Sequence, residues 1–341
     1  MILITGGTGF LGKRLVRKSL ELGHKRVRCL VRPGTPRDIF RSLQAEFPSV
    51  QLEVFPASFN DSDALKKALQ GVGIVYHAAA SKKGAAPSLV ANTVVGSEYL
   101  YKASVETGVS RFVLVSSFGV IGAASQRRGD IIDESIAMEE HPEWRDPYSF
   151  SKHQQEVLAW RYAKEHNLPL VVIRPGGIFG PGGEILHSRL GLNVFGIFLD
   201  LGSSNVMPLT YVDNCAEAII LAGTVPSIGK EVFCIVDDEL PMGKDLIRRY
   251  RTEVKALKTI RIPYWLLKPL SYCNIWYTRR TKGHIPAVVS PYEVETMWKG
   301  HRFNNAKAKQ LLGWTPKISM RDALDATFVF LAKAEKANQR S

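Results

Sequence analysis

The chain opens with Met1-Ile2-Leu3-Ile4-Thr5, an apolar run that ends on Gly6-Gly7-Thr8-Gly9-Phe10-Leu11-Gly12. Apolar residues then recur at helical spacing in Leu11, Leu15, Val16 and Leu20. A strand, a glycine loop and a helix in that order leave few folds open. The spacing G-x-x-G-x-x-G says little alone, and its place between two elements gives it meaning. Gly6 permits the tight turn, Gly9 lets a pyrophosphate approach the backbone, and Gly12 lets the helix pack close to the strand. The free N–H groups of Phe10 and Leu11 would face the phosphates, with Thr8 in the same loop.

Further strands are expected at Val27–Val31, Leu52–Phe55, Ile74–His77, Phe112–Ser116 and Leu170–Ile173. Helical patterns separate them at Asp61–Leu69, Leu89–Thr107 and Tyr148–His166. Alternating β and α elements predict an α/β fold, a Rossmann doubly wound parallel sheet covered on both faces. Pro175, Gly176, Gly177, Gly180, Pro181, Gly182 and Gly183 then interrupt the pattern. Loops and short helices are expected beyond them, in a smaller C-terminal substrate-binding lobe. The predicted division is residues 1–175 for the dinucleotide-binding domain, with 205–235 returning to it, and 176–341 mainly for the lobe.

A chain of 341 residues can bury a sizeable core, and 45% hydrophobic with 23% charged residues is ordinary for a globular protein. The apolar runs, such as Val194–Leu201, fall short of the ~18 residues that a membrane-spanning helix needs. No basic segment precedes the first strand, so a signal peptide is not expected, and a cytoplasmic location is. Cys29, Cys215, Cys234 and Cys273 are far apart, which points to reduced, mostly buried thiols. None of the eight histidines forms a ligand pair, so no metal is expected. The formal charge of +13 comes with no nucleic-acid motif. A solvated basic surface is the default reading, and peripheral membrane contact stays open.

An acidic residue at the end of the second strand would bind the ribose 2′-hydroxyl of NAD. Arg32 holds that place, and Asp38 is the first acid after it. An arginine there suits a 2′-phosphate, so NADP is favoured over NAD. Tyr148-Ser149-Phe150-Ser151-Lys152 starts a helix after Pro147, and i, i+4 spacing puts phenol and ammonium on one face. A close ammonium would lower the tyrosine pKa, readying it to exchange a proton while hydride moves to or from a nicotinamide.

The ordered set Thr5–Gly12, His77-Ala78-Ala79-Ala80, Val115-Ser116-Ser117, Tyr148-x-x-x-Lys152, Arg174–Pro181, Tyr211–Asn214 and Leu311–Pro316 spans essentially the whole chain. It resembles the extended short-chain dehydrogenase/reductases, the NAD-dependent epimerase/dehydratase superfamily. The resemblance implies that Tyr148 is the general acid/base and that Lys152 binds the nicotinamide ribose and depresses the tyrosine pKa. It implies that Ser117 holds the substrate oxygen and that Asn92 lies near the proton relay, although a plain helix-packing role for Asn92 stands equally. His77 to Ala80, with Ala78 and Ala79 at the centre, would line the cofactor cleft, and Pro175 would sit by the nicotinamide. Ser58 departs from the family, which usually has an aspartate near the adenine. Such enzymes often form homodimers through the helices carrying Asn92 and Tyr148.

Gly177 stands where the sugar-nucleotide branch carries an asparagine, and Phe118-Gly119 where dehydratases carry an acidic pair. The Arg174–Pro181 stretch and the tail around Ile262–Trp265, Val289–Pro291 and His301–Asn304 look more like the 3β-hydroxysteroid and sterol dehydrogenase branch. A reversible hydroxyl/ketone conversion on a hydrophobic, steroid- or lipid-like small molecule is expected. The alternatives are a nucleotide-sugar epimerase, dehydratase or reductase, and a non-catalytic NADP-binding regulator. Tyr264–Tyr277 is aromatic and apolar, with Arg279, Arg280 and Lys282 after it. It is read as a core helix of the lobe, a cover for a hydrophobic substrate, or a segment resting on a membrane.

Overall fold

The computed structural model describes residues 1–81, 85–226, 228–281 and 289–339, so Lys282 lies outside the described residues. Seven parallel strands form the main sheet in the spatial order Glu231–Ile235, Leu170–Pro175, Arg111–Val115, Ile74–His77, Ile2–Thr5, Arg26–Val31, Gln51–Pro56. Side chains alternate across it: Ile2 and Ile4 join one core, with Val113 and Val115, while Leu3 joins the other, with Phe112 and Leu114. Both faces are therefore dry, as short, nearly continuous apolar strands require. Helices Phe10–Glu21 and Val212–Thr224 cover the first face. Ser62–Leu69, Gly96–Glu106 and Pro147–Glu165 cover the second.

Strand order reverses between Ile2–Thr5 and Ile74–His77. The next strands lie on opposite sides of this pair, so a crevice opens above their carboxyl ends, where ligands bind in such sheets. The glycine loop follows one of these strands directly, and Ala78–Ala80 follow the other.

Beyond Pro175 the expectation of loops and short helices is corrected in two places. Tyr264–Arg280 and Met320–Asn338 are helices of 17 and 19 residues. Pro269 inside the first hides it from a reading of breakers, while Pro263 and Ser319 start the two helices cleanly. The apolar run at 194–201 supplies part of a hairpin, Gly191–Val194 and Ile197–Asp200, with Thr259–Arg261 parallel beside it. Ala308, Leu312 and Trp314 return to the main sheet's core, where Trp314 Nε1 donates to the Asn214 carbonyl at 3.0 Å. Cys29, Cys215 and Cys234 are buried thiols, and Cys273 is an exposed one. No helix among the described residues is long and apolar enough to cross a membrane.

Candidate active site

Gly6 takes φ +73°, a left-handed turn that glycine adopts without strain. A Cβ on Gly12 would lie 1.9 Å from the Gly6 carbonyl oxygen, so the helix can start this close to the strand only with glycine there. The 12-residue helix Phe10–Glu21 begins at Gly9 with no side-chain cap and no acid in its first turn. Its first N–H groups are thus left for an anion, and Gly9, Phe10 and Leu11 line the crevice. This cradle fits a dinucleotide pyrophosphate.

The crevice is a cleft of about 1530 Å³. Of the residues read from the sequence, Gly6, Thr8, Gly9, Phe10, Leu11, Gly12, Arg32, Ala78, Ala79, Ala80, Asn92, Ser117, Tyr148, Lys152 and Pro175 line it, whereas His77 is buried and does not. Arg32 is exposed at its rim beside Pro33 and Thr35. Ser58, in the departing position, lines it as well. Asn92 enters from a π-helical turn, Ala91–Val95, that interrupts the helical run from Ala86 to Glu106. Single π turns of this kind gather at functional sites.

Helix Pro147–Glu165 is started by Asp146, whose Oδ1 accepts from the N–H groups of Tyr148 and Ser149 while Oδ2 accepts from Ser149 Oγ at 2.6 Å. Pro147 at the first helical position reinforces the start. That cap fixes Tyr148 in the first turn, where its phenol comes near the Ser117 side chain and both line the cleft. Ser117 Oγ accepts from Gly119 N at 3.1 Å. Two hydroxyl-bearing side chains from different elements therefore line the same cleft. The lowered tyrosine pKa expected from Lys152 is not what the protein alone sets. Burial, then the nearby Asp146 carboxylate, pushes the Tyr148 phenol up to about 12, with the nearby Ser117 side chain opposing. The phenol is a proton donor at neutral pH.

Lys152 is buried, and its Nζ donates to the Val115 carbonyl at 2.6 Å and to Gln155 Oε1 at 2.8 Å. Gln155 Nε2 donates to Ser97 Oγ at 2.7 Å, and Ser97 passes its own proton to the Thr93 carbonyl. His77 Nε2 lies 2.8 Å from Ser97 Oγ and Nδ1 lies 2.7 Å from Thr5 Oγ1. With Ser97 already donating, His77 gives Nε2–H to Ser97 and accepts from Thr5. Burial and the Lys152 charge lower the His77 pKa to about 3, so the ring is neutral. A buried polar chain thus runs from the residue before the glycine loop to the lysine. Gln155 and Ser97 escape sequence reading, and the only signal is a glutamine three residues past Lys152.

Beneath the cleft Glu156 and Arg174 form a fully buried pair, Nη2 to Oε1 at 2.6 Å. Ser116 Oγ donates to the same carboxylate at 2.5 Å. At the cleft's other end lie Phe118, Gly119, Leu186, His187, Arg189 and Met297, with Arg145. Arg145 pairs with buried Glu139 at 3.1 Å. Among the described residues no carboxylate forms an ion pair with Arg189. Burial and the nearby Arg145 charge lower its pKa to about 10. Sequence patterns give no sign of Arg189, which lies in an irregular stretch.

Residues 2–235 match the model of the NAD dependent epimerase/dehydratase family. The chain belongs to that family. It is an NAD(P)-dependent enzyme of the extended short-chain dehydrogenase/reductase type. It is 28% identical over 343 residues to the 2-alkyl-3-oxoalkanoate reductase of Stenotrophomonas maltophilia, covering 95% of this chain and 97% of that protein. It is 24% identical over 363 residues to 3beta-hydroxysteroid-dehydrogenase/decarboxylase isoform 1 of Arabidopsis thaliana, covering 99% and 81%. The crystal structure of UDP-glucuronic acid 4-epimerase from Bacillus cereus in complex with NAD shares the fold, with a TM-score of 0.71, 19% identity and coverage of 98% and 99%.

Proposed function

We propose that this family member interconverts a hydroxyl and a ketone on a hydrophobic, steroid- or lipid-like molecule. The observation that carries the reading is that Tyr148, Ser117 and buried Lys152 line one cleft with the glycine loop, the Ser117 side chain near the Tyr148 phenol. The dinucleotide, when bound, supplies or accepts the hydride. Ser117 holds the substrate oxygen by a hydrogen bond. Tyr148, protonated at neutral pH, donates to that oxygen as a ketone is reduced and recovers a proton from solvent. Lys152 takes the nicotinamide ribose and favours the phenolate as it forms. Asn92 and Pro175 line the same cleft.

The substrate end supports a lipid-like molecule through Phe118, Leu186 and Met297. It also offers Arg189, a cation with no carboxylate ion pair among the described residues, which suits a substrate with an acid group. A name such as 2-alkyl-3-oxoalkanoate reductase for a relative of similar length supports the same class. A Cβ at Gly177 would lie 3.1 Å from His187 Nε2, so an asparagine at this sugar-nucleotide position would need His187 to move. We favour NADP on the strength of Arg32, residues 1–175 with 205–235 as its domain, and 176–341 mainly as the substrate lobe. A homodimer through the helices carrying Asn92 and Tyr148 agrees with the exposure of Val95, Tyr99 and Val157.

A panel of 3-oxo acids, their methyl esters, hydroxysteroids and UDP-sugars, each with NADPH and NADH, tests the reading. Reduction of 3-oxo lipids or steroids is expected, lost in Tyr148→Phe. Arg32→Asp should weaken NADPH far more than NADH, and equal losses would end the NADP assignment. Turnover of a UDP-sugar alone would replace the reductase reading with an epimerase.

A further inference from the structure

Helix Tyr264–Arg280 is not the core helix that its composition allows, because only Leu267 and Ser271 are buried in it. Trp265 is 75% exposed, Tyr272 58% and Trp276 64%. Tryptophan and tyrosine are seldom left this open in water unless they serve contact. At about 100° per residue, Trp265, Pro269, Tyr272 and Trp276 fall within an arc of roughly 60° along one face. Lys268 and Arg279 flank this stripe on one side and Arg280 on the other, at the same spacing. The helix contains neither aspartate nor glutamate. Among the described residues the acid that forms an ion pair with it is Glu295, which Lys268 reaches at 2.6 Å and Lys299 at 2.8 Å. The lobe exposes more apolar surface in Ile260, on the strand before the helix, and in Phe195, fully exposed at the hairpin tip with φ +50°.

We propose that this face is a docking surface for an anionic lipid bilayer. Tryptophan and tyrosine settle at the headgroup level, where one edge is apolar and the other wet, and flanking arginines attract acidic lipids. A spanning role is not involved, since the helix is too short and too polar for that. A row of aromatics flanked by Arg279 and Arg280, which form no ion pair among the described residues, matches an anionic interface in both its apolar and its charged character. The surface lies on the lobe next to the cleft and uses no residue assigned to chemistry, so it stands independently of the substrate reading.

The test is co-sedimentation of the full chain with vesicles of phosphatidylcholine alone and of phosphatidylcholine with 30% phosphatidylglycerol. Quenching of tryptophan emission by brominated lipid is read alongside. Binding to the anionic vesicles is expected, at least tenfold stronger than to neutral ones and weakened by 0.5 M salt. Trp265→Ser with Trp276→Ser should cut the partition coefficient at least tenfold, and Arg279→Glu with Arg280→Glu should remove the preference for phosphatidylglycerol. Thermal unfolding and NADPH binding of both variants should match the parent, since these side chains are exposed. No sedimentation with anionic vesicles, equal binding to both compositions, or undiminished binding of the double tryptophan variant would overturn the proposal. So would light scattering that shows a dimer which Trp276→Ser converts to monomer, because the stripe would then belong to a second copy.

Discussion

The buried Glu156–Arg174 pair offers a sharp test of what holds the cleft floor together. Arg174 Nε and Nη2 reach Oε1 at 3.1 and 2.6 Å, Ser116 Oγ reaches Oε2 at 2.5 Å, and Trp160 Nε1 reaches Oε1 at 3.3 Å. The two side chains are 4% and 0% exposed. Glu156→Leu leaves a guanidinium in a dry interior with no anion, which costs about 3–5 kcal/mol. It also strips the acceptor from buried Ser116, roughly 1–3 kcal/mol more. The total rivals much of a typical domain's stability, about 5–15 kcal/mol. Arg174→Met leaves the carboxylate with two weaker donors and should cost about 3–5 kcal/mol. The double variant Glu156→Leu/Arg174→Met removes both charges together with their desolvation penalty, and we expect it within about 2 kcal/mol of the parent. Urea unfolding followed by circular dichroism and tryptophan emission measures all three, with coincident transitions as the check on two-state behaviour. Losses under about 1 kcal/mol in the single variants, or a double variant as unstable as their sum, would refute the reasoning.

Tyr148 should stay protonated well above its ordinary range in the protein without cofactor, so the 295 nm difference between parent and Tyr148→Phe should be flat up to pH 10. The sign follows from a raised acid pKa: the folded state keeps a proton that the unfolded state loses above about pH 10, and stability falls from there upward. A tyrosinate band from Tyr148 at pH 8 would contradict this. Gly12→Ala forces a methyl onto the Gly6 carbonyl oxygen, and we expect NADPH binding to fall at least tenfold with roughly 1–3 kcal/mol of stability, measured by calorimetry and melting. Unchanged affinity would show that the loop yields. Gln155→Leu takes an acceptor from Lys152 and a donor from Ser97, and it should lower stability by about 1–3 kcal/mol and slow ketone reduction, whereas Gln154→Leu should do neither. Equal behaviour of the two variants would remove Gln155 from the Lys152 support.

The sheet was legible because its strands are short, apolar on both faces and separated by amphipathic helices, a pattern that local sequence encodes. The glycine loop was legible for a similar reason: its conformation is made by glycine itself at Gly6 and Gly12. Lys152 and Tyr148 could be paired from i, i+4 spacing, but not the tyrosine's titration. That depends on how deeply the cleft floor is buried and on Asp146, a capping residue whose charge lies close by. Thr5, His77, Ser97 and Gln155 come from four elements and meet only once the sheet and helices are assembled, so no window of sequence contains their relation. Helix Tyr264–Arg280 eluded a choice of role because a stripe of aromatics is the same string of letters whether it faces core or solvent. Its exposure depends on what the lobe places opposite.

Trp314, Leu312 and Ala308 pack with helix Val212–Thr224 and strand Glu231–Ile235, although they come from the last tenth of the chain. One face of the main sheet is therefore left with a gap in its core until almost the entire polypeptide has been made. During synthesis the glycine loop and its first strand emerge at once, but the core that helix Val212–Thr224 shares with the sheet is completed only by the final segment. Truncations before residue 306 are expected to yield aggregating material rather than an autonomous cofactor module, and a fusion partner at the far end sits near a seal that closes late.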